Sequence, residues 1–194
     1  MAYGWHNRGY LPHFDGGEIT QSITFRLFDS LPKAFLEQWS HELASQSSEK
    51  MDVEMRKRVA AYLDQGHGSC YLKEPRAAKI VQDAILFYDP DKYLLSAWVV
   101  MPNHVHLITT PVPGKRLAKI MQSLKSFTAN EANKMLGREG TFWMPDYFDR
   151  YIRNQRHLVA AIEYVENNPV KAGLCKRPED WPFSSAWFRA RDEW

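Results

Sequence analysis

Two histidines one residue apart, His104 and His106, are the side chains of this chain best suited to chemistry. They open the apolar run His104-Val105-His106-Leu107-Ile108, just after a Pro102-Asn103 turn. On a strand, successive side chains alternate between faces, so both imidazoles leave by one face and Val105 and Leu107 by the other. Two imidazoles on one rigid face can hold a divalent metal ion. A surface strand that merely carries two histidines is the competing reading of so short a motif. A second group lies toward the C-terminus. At about 100° per residue, Leu158, Ala161, Ile162 and Val165 form the buried stripe of a helix. His157, Tyr164 and Asn168 form a second stripe along its edge. Tyr164 and Asn168, four apart, are surface neighbours, and Ala160 and Ala161 leave room above the phenol. Such an edge can present a phenol to a substrate; ordinary packing is the alternative.

These groups need elements to hold them. Ile19 to Phe28 alternates apolar and polar residues and predicts a first strand. Ser30 and Pro32 predict the cap and first turn of a helix with Phe35, Leu36, Trp39 and Leu43 inward. Met51, Met55, Val59, Tyr62 and Leu63 predict a second helix, ended by Gly66 and Gly68, and the stretch 45–68 has no evident role. A third follows Pro75 and closes at Asp89-Pro90-Asp91. Tyr93 to Val100 and His104 to Thr110 pair as a hairpin about Met101-Pro102-Asn103. Arg116 to Leu136 is a long helix with Leu117, Ile120, Met121, Leu124 and Phe127 apolar. Around it Lys115, Arg116, Lys119, Lys125, Lys134 and Arg138 face only Glu131. That suits contact with a phosphate backbone, although a solvated face has the same composition. Tyr147 to Arg153 reads as a last strand with Phe148, Arg150 and Ile152 on one face. Asn154 then caps a helix from Gln155 to Asn168, stopped by Pro169. Residues 1–17 follow neither the helix nor the strand period. Their Trp5, Arg8, Tyr10, His13 and Phe14 suit stacking on unpaired bases.

At 194 residues one domain is expected. No apolar run reaches a membrane span and no apolar signal core opens the chain, so a cytoplasmic location is expected. Cys70 and Cys175 read as free thiols. Residues 1–92 carry 11 basic and 13 acidic groups, and residues 93–194 carry 14 and 10. The half with the histidine pair is thus the basic one, which fits a polyanionic partner. There is no H-E-x-x-H and no cysteine ligand pair, which argues against a zinc hydrolase. A phosphodiesterase with two H-x-S/T repeats also fails.

Four blocks then occur in one order: Arg8-Gly9-Tyr10-Leu11-Pro12-His13-Phe14-Asp15, Val99-Val100-Met101-Pro102-Asn103-His104-Val105-His106, Phe148-Asp149-Arg150-Tyr151-Ile152-Arg153, and Tyr164 to Leu174. Together they resemble the single-tyrosine HUH transposases, and more closely the REP-associated tyrosine transposases of bacteria, which act on repetitive extragenic palindromes. The resemblance spans nearly the whole chain. One departure is that insertion-sequence relatives carry Gln four residues after the nucleophile, where this chain has Asn168.

The resemblance implies an α+β fold: a ferredoxin-like or RRM-like antiparallel sheet with helices on one face, extra helices and an N-terminal arm. It implies an arm over residues 1–18, a nuclease domain over 19–174 and a tail over 175–194. The implied activity is metal-dependent cleavage and rejoining of single-stranded DNA beside hairpins. Tyr164 would be the nucleophile, passing through a 5′-phosphotyrosine. His104, His106 and Asn168 would hold Mg2+ or Mn2+. His157, one edge-step from Tyr164, reads as an ordinary surface histidine, with assistance to proton transfer as the alternative. Arg8, Tyr10, His13, Phe14, Lys115, Arg116, Lys119, Lys125, Arg150 and Arg153 would contact DNA. A monomer near the bacterial nucleoid is expected, a dimer that exchanges the tyrosine helix being the alternative. The rival reading is a non-catalytic RRM-like nucleic-acid-binding protein.

Overall fold

The computed structural model describes the backbone of residues 4–7 and 12–15 and the chain from 17 to 194, apart from the side chains of Glu49 and Asp52. Its centre is a four-stranded antiparallel sheet of β3 (Gln21–Arg26), β4 (Tyr93–Val100), β5 (His104–Pro111) and β6 (Phe148–Tyr151), in the order β4-β5-β3-β6. Helices α3 (Pro75–Phe87) and α4 (Leu117–Leu136) make the crossovers, which is the ferredoxin-like plan. Ile23, Phe25 and Leu27 of β3 and its extension face these helices, as do Val105 and Leu107 of β5, and all five are fully buried. Phe25 meets Trp143 edge-on at 4.8 Å, and the Trp143 indole N–H donates to Thr128 Oγ1 at 2.9 Å, which satisfies the polar end of a buried ring. Thr128 takes the inward place on α4, while Phe127, expected inside, is 52% exposed.

Helices on one face alone are not enough for this chain. Helix α5 (Gln155–Lys171) lies across the other face, where Ala161, Ile162 and Val165 pack on Ala97, Val99 and Ile108. Helix α2 (Ser48–Asp64), braced by α1 (Lys33–Leu43), covers the rest through Val59 and Leu63. With both faces covered, β5 is buried along nearly its whole length.

Three local expectations change. Ser30 does not cap α1: its hydroxyl donates to the Leu27 carbonyl at 2.8 Å, and Pro32 stands at the cap position. Residues 4–7 and 12–15 form an antiparallel hairpin, β1 (Gly4–Asn7) and β2 (Pro12–Asp15), with Trp5 opposite Phe14 and β2 beside β6. Strands of four residues are too short for alternation to declare them. Helix α5 runs through Pro169 to Lys171. Beyond it the Leu174 N–H donates to the Pro169 carbonyl and the Gly173 N–H to that of Val170, at 2.8 and 3.0 Å. This is a Schellman ending that Gly173, at φ +68°, is built to supply.

The C-terminal residues pack on the outer edge of β4. Val100 N–H donates to Phe183 O, Trp98 N–H to Ser185 Oγ, and the Trp181 indole N–H to Val100 O, at 2.9, 3.2 and 3.0 Å. Arg189 of α6 (Ser185–Arg189) reaches Ser96 O at 2.6 Å and pairs with Glu166 of α5.

Candidate active site

The pairing register fixes the histidines. His106 lies opposite Thr24 and His104 opposite Arg26, so β3 and β5 turn these four side chains to the face that α5 and α2 cover. Asn103, fully buried, orients His104. Its amide N–H groups donate to the carbonyls of Leu63 and His67 at 3.2 and 2.9 Å, which leaves Oδ1 to accept from His104 Nδ1–H at 2.7 Å. The Nε2 of His104 therefore carries a lone pair. His106 Nδ1 shares a hydrogen bond of 2.7 Å with Thr24 Oγ1. The two Nε2 atoms face each other at 3.0 Å. Burial lowers both imidazole pKa values, that of His106 to about 3 and that of His104 well below its ordinary range, with Lys171 and the neighbouring ring adding to it. Both rings are neutral, the form in which imidazole binds a metal.

Helix α5 starts from a reciprocal cap. Asn154 Oδ1 accepts from His157 N–H at 2.9 Å, and His157 Nδ1 accepts from Arg153 N–H at 3.2 Å. His157 thus takes part in this cap. Two turns on, the Tyr164 ring meets His106 edge-on, centroids 5.8 Å apart, and is 36% exposed. Asn168, fully buried, donates its amide N–H to Tyr164 O at 2.8 Å, and its Oδ1 has no partner. Lys171, one more turn along the same stripe, sets its ammonium 4.3 Å from the centre of the Tyr164 ring. Burial raises the Tyr164 pKa, Asp64 raises it further, and the Asn168 side chain opposes them.

Asp64 and Lys171 were not foreseen. Asp64 ends α2, and its Oδ1 lies 3.9 Å from His104 Nε2, buried and without a hydrogen-bond partner. Burial raises its pKa against the pull of Lys171. The stretch 45–68 thus carries a carboxylate to the histidines. One sign was legible: an acidic residue in the last turn of a helix opposes the helix dipole, which asks for another purpose. Gly68 helps to seat this end. At φ +84° it passes the Asp29 carbonyl so closely that a Cβ would lie 2.8 Å from its oxygen.

The donor set suits a small divalent cation. Two neutral imidazoles present their Nε2 atoms to one point, 3.0 Å apart and at hydrogen-bonding distance of each other, with oxygen donors on neighbouring elements. Among the described residues no three His, Cys, Asp or Glu side chains form a ready metal cluster. Asn168 Oδ1 on α5 and Asp64 Oδ1 on α2 are oxygens without hydrogen-bond partners among the described residues, and Asp64 Oδ1 lies 3.9 Å from His104 Nε2.

The expected DNA contacts divide. Arg150 is exposed beside the site, and Arg153, also exposed, lies over the Tyr151 ring. Lys115, Arg116 and Lys119 are exposed but sit past the far end of β5, whose eight residues span about 23 Å from His104. Lys125 is corrected. It is buried, and its ammonium donates to the carbonyls of Met144 and Pro145 at 2.7 and 2.6 Å, so it does not offer its charge to a phosphate. Burial lowers its pKa to about 8. Arg8 and Tyr10 lie outside the described residues; His13 and Phe14 are placed on β2 by their backbone.

A family model described as transposase, IS200 like, matches residues 75–168, from the start of α3 to Asn168. Over 110 residues the chain is 31% identical to a REP-associated tyrosine transposase of Escherichia coli (strain K12), covering 55% of this chain and 63% of that one. Over 96 residues it is 29% identical to a Haemophilus influenzae protein named for the same group, covering 44% and 54%. The chain thus spans about 63% and 54% of the length of these curated relatives. A solved REP-associated tyrosine transposase bound to a REP hairpin has a similar fold, with a TM-score of 0.59 at 20% identity, over 96% of this chain and 88% of that one.

Proposed function

We propose that this chain, which is similar to IS200-like transposases over residues 75–168 and to a REP-associated tyrosine transposase, is a metal-dependent DNA transesterase that cuts and rejoins single strands beside palindromic hairpins. The reading is supported by one observation above the others: the phenol of Tyr164 and the His104–His106 pair, 58 residues apart in sequence from His106, meet across the sheet within one chain. Tyr164 Oη forms the new bond to phosphorus, and the bond from phosphorus to the 3′-oxygen breaks. The 3′-oxygen leaves and takes up a proton, while the phenolic proton passes to solvent. The product is a 5′-phosphotyrosine and a free 3′-hydroxyl. Attack of a 3′-hydroxyl on that ester reverses every bond change and releases the phenol, so rejoining needs no nucleotide cofactor.

A free phenol, with a pKa of about 10, is a weak nucleophile at neutral pH. In this structure burial and Asp64 hold the Tyr164 phenol above its ordinary value, while Lys171, over the ring, offsets the charge of Asp64. Mg2+ or Mn2+, held by His104, His106 and Asn168, would polarise the phosphate and offset the charge that builds on it. Asn103 and Thr24 keep the imidazoles turned toward that point.

Substrate contact follows the same reading. Stem phosphates would be held by Lys115, Arg116 and Lys119, which position without reading sequence. Arg150 and Arg153 lie nearer the nucleophile, and the arm of residues 1–18 would read unpaired bases. The test is incubation with a library of single-stranded hairpins and Mg2+ or Mn2+, followed by a search for a protein–DNA adduct that survives denaturation. An adduct mapped to Tyr164, lost in Tyr164→Phe while hairpin binding persists, is expected. Absence of any adduct with every divalent ion would refute the reading and leave a binding protein.

A further inference from the structure

Between α2, the β3–β6 edge of the sheet and α5 runs a cleft of about 360 Å3. His106 and Tyr164 belong to its lining, together with apolar Val59 and Leu63 from α2, Phe148 from β6, and Ala160 and Ala161 from α5. Lys57 and Arg150, both exposed, stand on its lining, as does Arg56. Among the described residues the carboxylates nearby are Asp149, which is buried, Glu54, which lies 3.9 Å from Lys57, and Asp64, which acts on Tyr164. The wall from α2 lies outside the segment matched by the family model.

We propose that this cleft receives one unpaired nucleobase of the strand being cut, the base next to the phosphate presented to Tyr164. The inference rests on the transesterase reading and adds a site to it. A slot lined by apolar side chains, an aromatic ring and exposed cations matches a nucleotide, which has flat faces and an anionic backbone. Ala160, an exposed position on α5, stands on the cleft lining, whereas Ala161 beside it also packs on the sheet. The position is constrained by the chemistry, because a phosphodiester in line with Tyr164 has a nucleotide on each side and the cleft opens from that point. Enzymes that act on a nucleotide taken out of its stack hold the base in this way, by shape and a stacking face. Phe148, whose ring packs against the Leu31–Val59–Leu63 cluster, supplies a face that cannot swing away.

The experiment uses the full chain and a stem-loop oligonucleotide with an unpaired flank, in EDTA so that nothing is cut. 2-Aminopurine is walked along the flank and its fluorescence read on binding. One position is expected to be quenched more than its neighbours, and an abasic residue there is expected to weaken binding about tenfold. In Ala160→Trp, an exposed helix position filled by a large ring, the quench and the abasic penalty should both vanish while affinity for the stem remains. Phe148→Leu keeps an apolar wall and should lose only the quench. Uniform fluorescence along the flank, or a position-specific penalty that survives Ala160→Trp, overturns the proposal. Adduct formation without a position-specific signal sinks this inference alone. The signal without any adduct leaves the cleft standing and removes the transesterase.

Discussion

Replacing Asn103 by alanine removes three hydrogen bonds at a residue with no exposed surface. Two of them tie down the carbonyls of Leu63 and His67 at the end of α2; because Leu63 O keeps a bond from Gly66 N–H and His67 O one from Cys70 Sγ, each loss costs about 0.5–1.5 kcal/mol. The third fixes His104 with its proton on Nδ1. Without it, the ring is free to carry its proton on Nε2, where it blocks the lone pair. Loss of an orienting partner of this kind typically lowers metal affinity about 10–100-fold, which is about 1.4–2.7 kcal/mol. Calorimetric titration of Mn2+ into the wild-type and Asn103→Ala proteins measures the affinity. Nitrogen-15 spectra of the histidine rings read the tautomer, and thermal melts read the stability. The expected result is weaker Mn2+ binding, a mixed His104 tautomer and a lower melting temperature. Unchanged Mn2+ affinity with a melting temperature that falls would show that Asn103 serves only to tie down α2, and the argument for an oriented ligand would be lost.

Asp64→Asn removes a charge that holds the Tyr164 phenol up, so the phenol should titrate at lower pH than in the wild type; an upward or absent shift by ultraviolet or NMR titration contradicts the placement. Lys125, at about 8 in the folded protein, binds its proton less readily there than in the unfolded chain, with an ordinary value of 10.5. The unfolded state then holds more protons between those values, so this group makes stability rise as pH climbs from about 8 to 10.5. In Lys125→Met the rise should be smaller than in the wild type by urea unfolding across that range; an equal slope refutes the assignment. Removal of residues 1–15 should abolish selection among single-strand sequences and leave Mn2+ binding intact, and undiminished selectivity in a binding competition would end the case for the arm.

The histidine pair was legible because strand alternation fixes which face each side chain takes, and no later packing can alter that. The stripe of Tyr164 and Asn168 was legible for the same reason on a helix. Lys125 was not, because its aliphatic stem lies at the margin of the buried stripe and its ammonium finds carbonyls 19 and 20 residues ahead, a partnership no local pattern records. Asp64 depends on how α2 returns to the sheet, which Asn103 and Gly68 settle through contacts 36 to 40 residues apart. Pro169 was read as a stop, since it lacks an N–H. In the last turn its carbonyl instead serves the Schellman ending, so the helix gains a turn and carries Lys171 to the phenol.

The C-terminal segment bears on how the protein can be handled. Its groups answer the outward donors and acceptors of residues 96, 98 and 100. A version ending at Gly173 would leave that strand with an open row of peptide groups beside the bared indole of Trp98, which Phe188 and Trp194 otherwise cover. Such a fragment would recruit a neighbour to its rim and precipitate, and its failure in an assay would speak of that loss and not of the chemistry.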